Sequence, residues 1–273
     1  MTTVEFEEFF KIPTRIYRNI GRDPLNMSVR TLKEKVLLTL QCYIMFAYFS
    51  YLFIGQAWNA WDNFHSRDTL LIAFGAASCD GFCVAALLKE IVFAIQNKTM
   101  LSVTAELKNL FPKDLKMQEA YKALEYRKKT TFLLTSLVCA CLGFTMGWAV
   151  YPIIKPTIKL AIFGPPFEKE FAFYIKYPYD QYGSNFNFII TTLGELIGGI
   201  MSGTLFLSVD LILSAIIYNC CMHMDYISRT IENYIPTGDD VIDLGVLDPL
   251  IKLHINILKW VFGFSLVYFT YFS

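Results

Sequence analysis

Two carboxylates, Asp80 and Glu195, stand alone inside long apolar runs, and with seven cysteines and three histidines they make up the side chains able to do chemistry here. An acid isolated in such a run suits one of two roles: it lines a polar cavity, or it sits protonated or hydrogen-bonded and ties two helices together. The cysteines (Cys42, Cys79, Cys83, Cys139, Cys141, Cys220 and Cys221) all fall in apolar segments. A disulfide framework would place them in the connecting loops, so they read as packing residues. His65, His223 and His254 have no partner at metal-ligand spacing, and no glycine loop suited to a phosphate occurs. The expectation is therefore no catalytic residue, no metal, no cofactor and no enzymatic activity. A net charge of zero argues against a nucleic-acid partner.

The elements that must position these groups are membrane helices. Residues 36–61 and 130–154 contain no Asp, Glu, Lys, Arg or His, and both runs exceed the roughly 20 residues that cross a hydrocarbon core. Residues 69–88 are apolar except for Asp80, and residues 182–209 except for Glu195, so both are long enough to span. A polar stretch follows, and the chain turns apolar again over residues 255–273, broken only by Lys259. Hydrophobic residues make up 55% of the 273 and charged residues 18%, a balance that suits lipid better than water. The predicted fold is all-α: a polytopic membrane helical bundle with four full spans and a partial fifth, forming one domain over residues 1–273. Because the fifth apolar run is so short, the sequence reads as the front part of a larger, C-terminally truncated protein.

Lys and Arg retained on cytoplasmic flanks orient the spans. Seven lie in the leader (residues 1–35), one in the first loop, nine in the second (residues 89–129) and four in the third (residues 155–185). Leader and second loop thus face the cytosol. The acceptor patterns Asn26-Met27-Ser28 and Asn97-Lys98-Thr99 fall on that side and are expected to stay unmodified. The second loop, with Leu101, Ala105, Leu107, Leu110 and Phe111 spaced among lysines, reads as amphipathic helix.

The fourth span overruns the bilayer. No proline interrupts residues 185–224, which allows a helix of about 40 residues, or roughly 60 Å. Its cytoplasmic extension to about residue 224 must be covered, by the second-loop helix or by another subunit. Gly194, Gly198, Gly199 and Gly203 recur in this span, as do Gly143 and Gly147 in the third, at a spacing that lets helices approach closely. The third loop carries Pro156, Pro165, Pro166, Pro178 and eight aromatics between Phe163 and Tyr182, so residues 155–185 are expected to form an extracellular lid. Towards that side the spans collect aromatic and small polar residues: Phe74 and Ser78, Phe144, Thr145, Trp148 and Tyr151, then Phe188, Thr191 and Thr192. An apolar cleft with few hydroxyls suits a small hydrophobic ligand. Interfacial belts also concentrate Trp and Tyr, so an anchoring role for Trp148 and Tyr151 stands beside that reading.

Several short motifs occur in a characteristic order. These are Phe10, Pro13, Tyr17, Gly21 and Pro24 in the leader, Lys176-Tyr177-Pro178-Tyr179-Asp180 before the fourth span, and His254-Ile255-Asn256-Ile257-Leu258 followed by Phe264-Ser265. With the inside N-terminus, this arrangement resembles the insect odorant receptors, a family of seven-helix olfactory receptors. The resemblance implies a subunit that binds small hydrophobic volatiles. It also implies assembly with an odorant coreceptor into a heteromeric ligand-gated cation channel, in the plasma membrane of the olfactory neuron dendrite. By the same analogy the ligand-binding residues are Phe74, Ser78, Phe144, Thr145, Trp148, Thr191 and Glu195. A gustatory-type chemoreceptor is the alternative. A G-protein-coupled receptor fits less well, because its acid-Arg motif would follow the third span whereas Glu125-Tyr126-Arg127 precedes it. A transporter would show paired half-repeats, which are not evident.

Overall fold

Long apolar runs and their polar stops set the helices. The computed structural model describes residues 3–23, 25, 31–64, 69–165 and 169–272, with residues 261–272 described by backbone alone. After a 3₁₀ turn at Phe6–Phe10 come α1 (Lys11–Asn19), α2 (Leu32–Asn63), α3 (Leu70–Ile95), α4 (Asn97–Leu110), α5 (Leu115–Ala120), α6 (Ala123–Phe163), α7 (Asn185–Glu232) and α8 (Asp240–Phe272). No strand occurs among the described residues. A capping box opens α2: Glu34 N–H donates to Thr31 Oγ1 at 3.3 Å, and the Glu34 carboxylate accepts from Thr31 N–H at 3.1 Å. Among the described residues, four helices, α2, α3, α6 and α7, are long and apolar enough to cross a membrane. The chain is an all-α, multi-pass membrane protein. Pro24, Asn26-Met27-Ser28, His65, Pro166 and the side chains of Phe264 and Ser265 lie outside the described residues.

Helix boundaries depart from the sequence reading chiefly in that the helices run longer. α6 continues past residue 154 through Pro152 and Pro156 to Phe163, so the lid begins at Gly164 and residues 155–163 are helical. A proline removes one donor from the ladder but does not forbid helix where neighbouring groups compensate. Thr157 Oγ1 donates to Ile153 O at 2.7 Å beside the prolines. α7 starts at Asn185 instead of residue 182 and runs past residue 224 to Glu232, and α8 starts at Asp240, well before residue 255. Asp243 fixes the turn into α8 by accepting from Thr237 N–H at 3.0 Å and Thr237 Oγ1 at 2.7 Å, and from Tyr234 Oη. Those donors, Tyr234 first, pull its carboxyl down to about 2.

The chain divides into two compact units, with α6 and α7 contributing to both. One gathers Thr14–Phe93 and Thr135–Asp210, and so holds α2, α3 and the adjoining parts of α6 and α7. Within it α7 supplies the centre. In the most apolar 18 residues of α7, 61% are buried, against 11% in α2, 22% in α3 and 11% in α6, whose apolar outer faces suit lipid. The fourth-span glycines admit neighbours closely. A Cβ on Gly198 would stand 2.2 Å from Leu52 of α2, and one on Gly203 would stand 2.9 Å from Thr145 Oγ1 of α6. Tyr48 Oη of α2 donates to Gly194 O at 2.7 Å. Gly143 and Gly147 behave differently: nothing lies within 4 Å of a Cβ on either, so the repeat in α6 packs against no helix among the described residues.

The other unit gathers Met1–Pro13, Ala94–Leu134 and Leu211–Ser273. Its core holds Phe6, Phe9, Phe10 and Phe111, with Phe6 and Phe111 rings 5.7 Å apart, and Leu211, Ile212 and Ile216 of α7 are buried. Tyr121, in the second loop, stacks on Tyr226 of α7 at 3.8 Å between centroids and meets His223 edge-on. The extension of α7 is thus covered by the second loop, as its apolarity demands. Burial pushes the Tyr121 phenol up to about 12. Gln118 holds the N-terminal turn: its Oε1 accepts from Val4 N–H at 2.8 Å, and its Nε2 donates to Val4 O at 2.9 Å and Pro112 O at 3.0 Å. Gln118→Ala strands these backbone groups and is expected to cost about 2–3 kcal/mol. The expected readout is a lower melting temperature in detergent together with faster proteolysis of the N-terminal turn.

Candidate functional site

Aromatic rings and small side chains from four helices leave a cavity of 260 Å³ beneath the lid. α2 contributes Phe49, Leu52 and Gln56, and α3 contributes Ser78, Cys79, Phe82 and Cys83. From α6 come Phe144, Thr145 and Trp148, and from α7 Gly198, Gly199 and Ser202. Phe173 and Ile175 of the lid close it. The glycines make the space: on α7 a larger residue at 198 or 199 would strike Leu52, Thr145 or Phe173. Its hydroxyls are few. Thr145 Oγ1 already donates to Cys141 O at 2.8 Å, leaving Ser78 and Ser202 as the serines on the wall. Such a surface rewards shape and apolar contact and offers one or two hydrogen bonds.

The lid is held down by a short non-helical strip over residues 169–176. Glu195 Oε2 on α7 accepts from Ala172 N–H at 2.8 Å and Phe173 N–H at 3.3 Å. Trp148 Nε1 donates to Ala172 O at 3.1 Å, Asn59 Nδ2 to Tyr174 O at 3.1 Å and Lys176 N–H to Gly55 O at 3.0 Å. Lys155 Nζ reaches both Glu170 carboxylate oxygens at 2.8 Å. Three spanning helices thereby grip one short strip through its backbone at Ala172, Phe173, Tyr174 and Lys176.

Of the residues expected to meet a ligand, Ser78, Phe144, Thr145 and Trp148 line the cavity, whereas Phe74, Thr191 and Glu195 do not. Phe74 is 58% exposed, one turn nearer the lid than Ser78. Thr191 is buried beneath the lid and shares a 2.9 Å hydrogen bond with Tyr179. Glu195 is spent on the lid backbone. Phe173 and Ile175 line the cavity on the side of Thr191 and Glu195, so the open space lies deeper along α7, at Gly198, Gly199 and Ser202. Asp80 lies off the cavity as well, half-buried, its Oδ1 without a hydrogen-bond partner among the described residues. Tyr151 stands beside Trp148 on the outer side of α6. The cysteines are free thiols, and no cluster of metal-binding side chains occurs among the described residues.

A family model described as 7tm Odorant receptor matches residues 70–261, which is most of the chain. The chain belongs to the odorant receptor family. Odorant receptor 67c of Drosophila melanogaster is 29% identical over 261 residues, covering 94% of this chain and 64% of that protein. Putative odorant receptor 92a of the same fly is 28% identical, over 85% of this chain and 57% of that protein. This odorant receptor chain therefore spans less than two thirds of the curated relatives it matches. Among solved structures, the insect olfactory receptor OR5 from Machilis hrabei superposes with a TM-score of 0.67 at 15% identity, over 97% of this chain and 66% of that one. Its complex with eugenol gives 0.68 at 15% identity, over 98% and 66%. At that identity the likeness is one of fold.

What the residues alone did not reveal about this family member is the share taken by α2. Residues 36–61 are apolar on every face, so no periodicity marks Phe49, Leu52 and Gln56 as inward. Gln56 carries the available signal: an amide inside an uncharged span, here buried at 4% exposed.

Proposed function

We propose that this chain is the ligand-binding part of an odorant receptor subunit, and that the cavity among α2, α3, α6 and α7 holds a small, mostly apolar volatile. The observation that carries the reading is the cavity itself, apolar, edged by two serines and roofed by Phe173 and Ile175, within a chain of this family. At 260 Å³ it lies at the small end of ligand pockets, which run from about 300 Å³ upward, and so it suits a compact volatile better than a lipid. The ligand acts by contacting two arrangements of the bundle unequally and favouring the one that opens the channel. The candidate contacts are Ser78, Phe144, Thr145 and Trp148, with Ser202 and Phe173 added. Phe74 and Thr191 act from outside the cavity, and Glu195 supports its roof. Family membership further suggests assembly with an odorant coreceptor into a ligand-gated cation channel of the plasma membrane, with the N-terminus and second loop cytosolic. The olfactory neuron dendrite is the corresponding site.

Trp148 supplies the test. In the chain reconstituted in nanodiscs, binding of the fluorescent apolar probe 1-aminoanthracene and its displacement by apolar volatiles are expected to weaken about tenfold or more in Trp148→Ala, at unchanged expression. Loss of expression with unaltered affinity in the surviving protein would make Trp148 a packing anchor and remove the cavity from consideration.

A further inference from the structure

A second cavity of 480 Å³ adjoins the first, and Phe144 and Trp148 form walls of both. It is the more polar of the two, with Lys155 and Glu170 at its edge and Gly143, Gly147 and Tyr151 along α6. The lid strip divides them: Phe171, Ala172 and Tyr174 line the outer cavity, and Phe173 and Ile175 line the inner one. We propose that the outer cavity is the antechamber through which an apolar ligand reaches the inner cavity, with the Trp148 indole as the gate.

The proposal rests on the reading of the inner cavity as the ligand site. Three observations support it. Trp148 is half exposed, and its indole N–H makes a 3.1 Å hydrogen bond to Ala172 O, which holds the ring across the boundary. Phe144 stacks beside it at 6.4 Å between centroids, so the two rings form one partition. The floor of the antechamber next to the indole is bare helix, since nothing lies within 4 Å of a Cβ on Gly143 or Gly147, and the ring has space to swing into. The glycines that pack on no helix thus acquire a purpose. The rest of the strip stays pinned by Glu195 and Asn59 while the indole moves, so passage needs one side-chain hydrogen bond to break and leaves the lid closed.

The test is kinetic. With the chain in nanodiscs and 1-aminoanthracene as probe, Gly147→Leu places a side chain in the antechamber where the structure has open space, and leucine favours helix more than glycine does. Association and dissociation rates are expected to fall together by about tenfold with the equilibrium affinity unchanged, the mark of a narrowed path to an unaltered site. Gly143→Leu gives the same pattern, and Trp148→Phe, which keeps the bulk but loses the indole donor, raises both rates. Rates in Gly147→Leu and Gly143→Leu equal to those of the unsubstituted chain overturn the antechamber while leaving the inner site standing. A weakened affinity with unchanged association overturns it too, by making the outer cavity a binding site in its own right. Ser202→Phe separates the two readings: filling the inner cavity abolishes probe binding if the site lies there, and binding that survives overturns site and gate together.

Discussion

Glu195→Ala is expected to weaken binding at the proposed ligand cavity and to lower the stability of the bundle, although Glu195 does not line the cavity. The side chain is 2% exposed, and one oxygen accepts both the Ala172 and Phe173 amides. Truncation strands the buried Ala172 N–H and the part-buried Phe173 N–H, and a buried group left without an acceptor costs about 1–3 kcal/mol. Phe173 and Ile175, which roof the cavity, are carried by the strip those amides fix. Once it is released, the wall that excludes water is lost, and apolar contact with the ligand falls with it. The expectation is a loss of about 2–4 kcal/mol in stability and a drop of tenfold to a hundredfold in affinity, the latter equivalent to about 1.4–2.7 kcal/mol. Glu195→Gln keeps an amide oxygen in the accepting position and is expected to retain most of both. Melting temperature and 1-aminoanthracene affinity measured on the same three proteins decide it. If Glu195→Ala melts lower yet binds equally well, the roof does not depend on this carboxylate.

The role of Glu195 also shows where sequence reasoning stops. An acid inside residues 182–209 is legible as costly and therefore partnered. Its partners are backbone amides 22 and 23 residues earlier, in a loop without periodicity, and no pattern of side chains encodes such a contact. The spans themselves were plain, because an uncharged run long enough to cross a bilayer has few other uses. The faces were not. In a span apolar all round, inward and outward residues differ only in what packs on them, which is why Ser78, Phe144, Thr145 and Trp148 were found from their polarity or ring type while Phe49 and Leu52 were missed. The bound at residue 154 marks only where the uncharged run meets Lys155; the chain continues helical to Phe163, carrying Lys155 to where it meets Glu170 of the lid.

At the end of α3 opposite the lid, the same bundle contains a polar cluster whose disruption is expected to cost more than any change in the cavity. Glu90 is 3% exposed. Its Oε2 meets Arg22 Nη1 at 2.5 Å, and its Oε1 accepts from Ser208 Oγ of α7 at 2.6 Å, with Tyr17 of α1 stacked on Phe93 one turn along α3. Next to it Lys89 pairs with Asp210 at 2.7 Å and lies 3.8 Å from the centre of the Phe206 ring. The approach of this leader segment is enforced at Gly21, whose φ of +76° and 2.4 Å clearance to Leu38 O admit no side chain. The segment that follows α1 is therefore joined to α3 and α7 through one carboxylate. Glu90→Ala leaves the Arg22 guanidinium without its carboxylate, while the Ser208 hydroxyl keeps Leu205 O at 2.7 Å as an acceptor, and breaking a buried pair in this way costs about 3–5 kcal/mol. Removing both charges is a different matter. Arg22→Met with Glu90→Gln trades the pair for groups that need less solvation and is expected to recover more than half of the loss, since the desolvation penalty of the ions disappears with their attraction. A double-mutant cycle on melting in detergent measures the coupling, and additive losses would show that Arg22 and Glu90 act independently despite their contact.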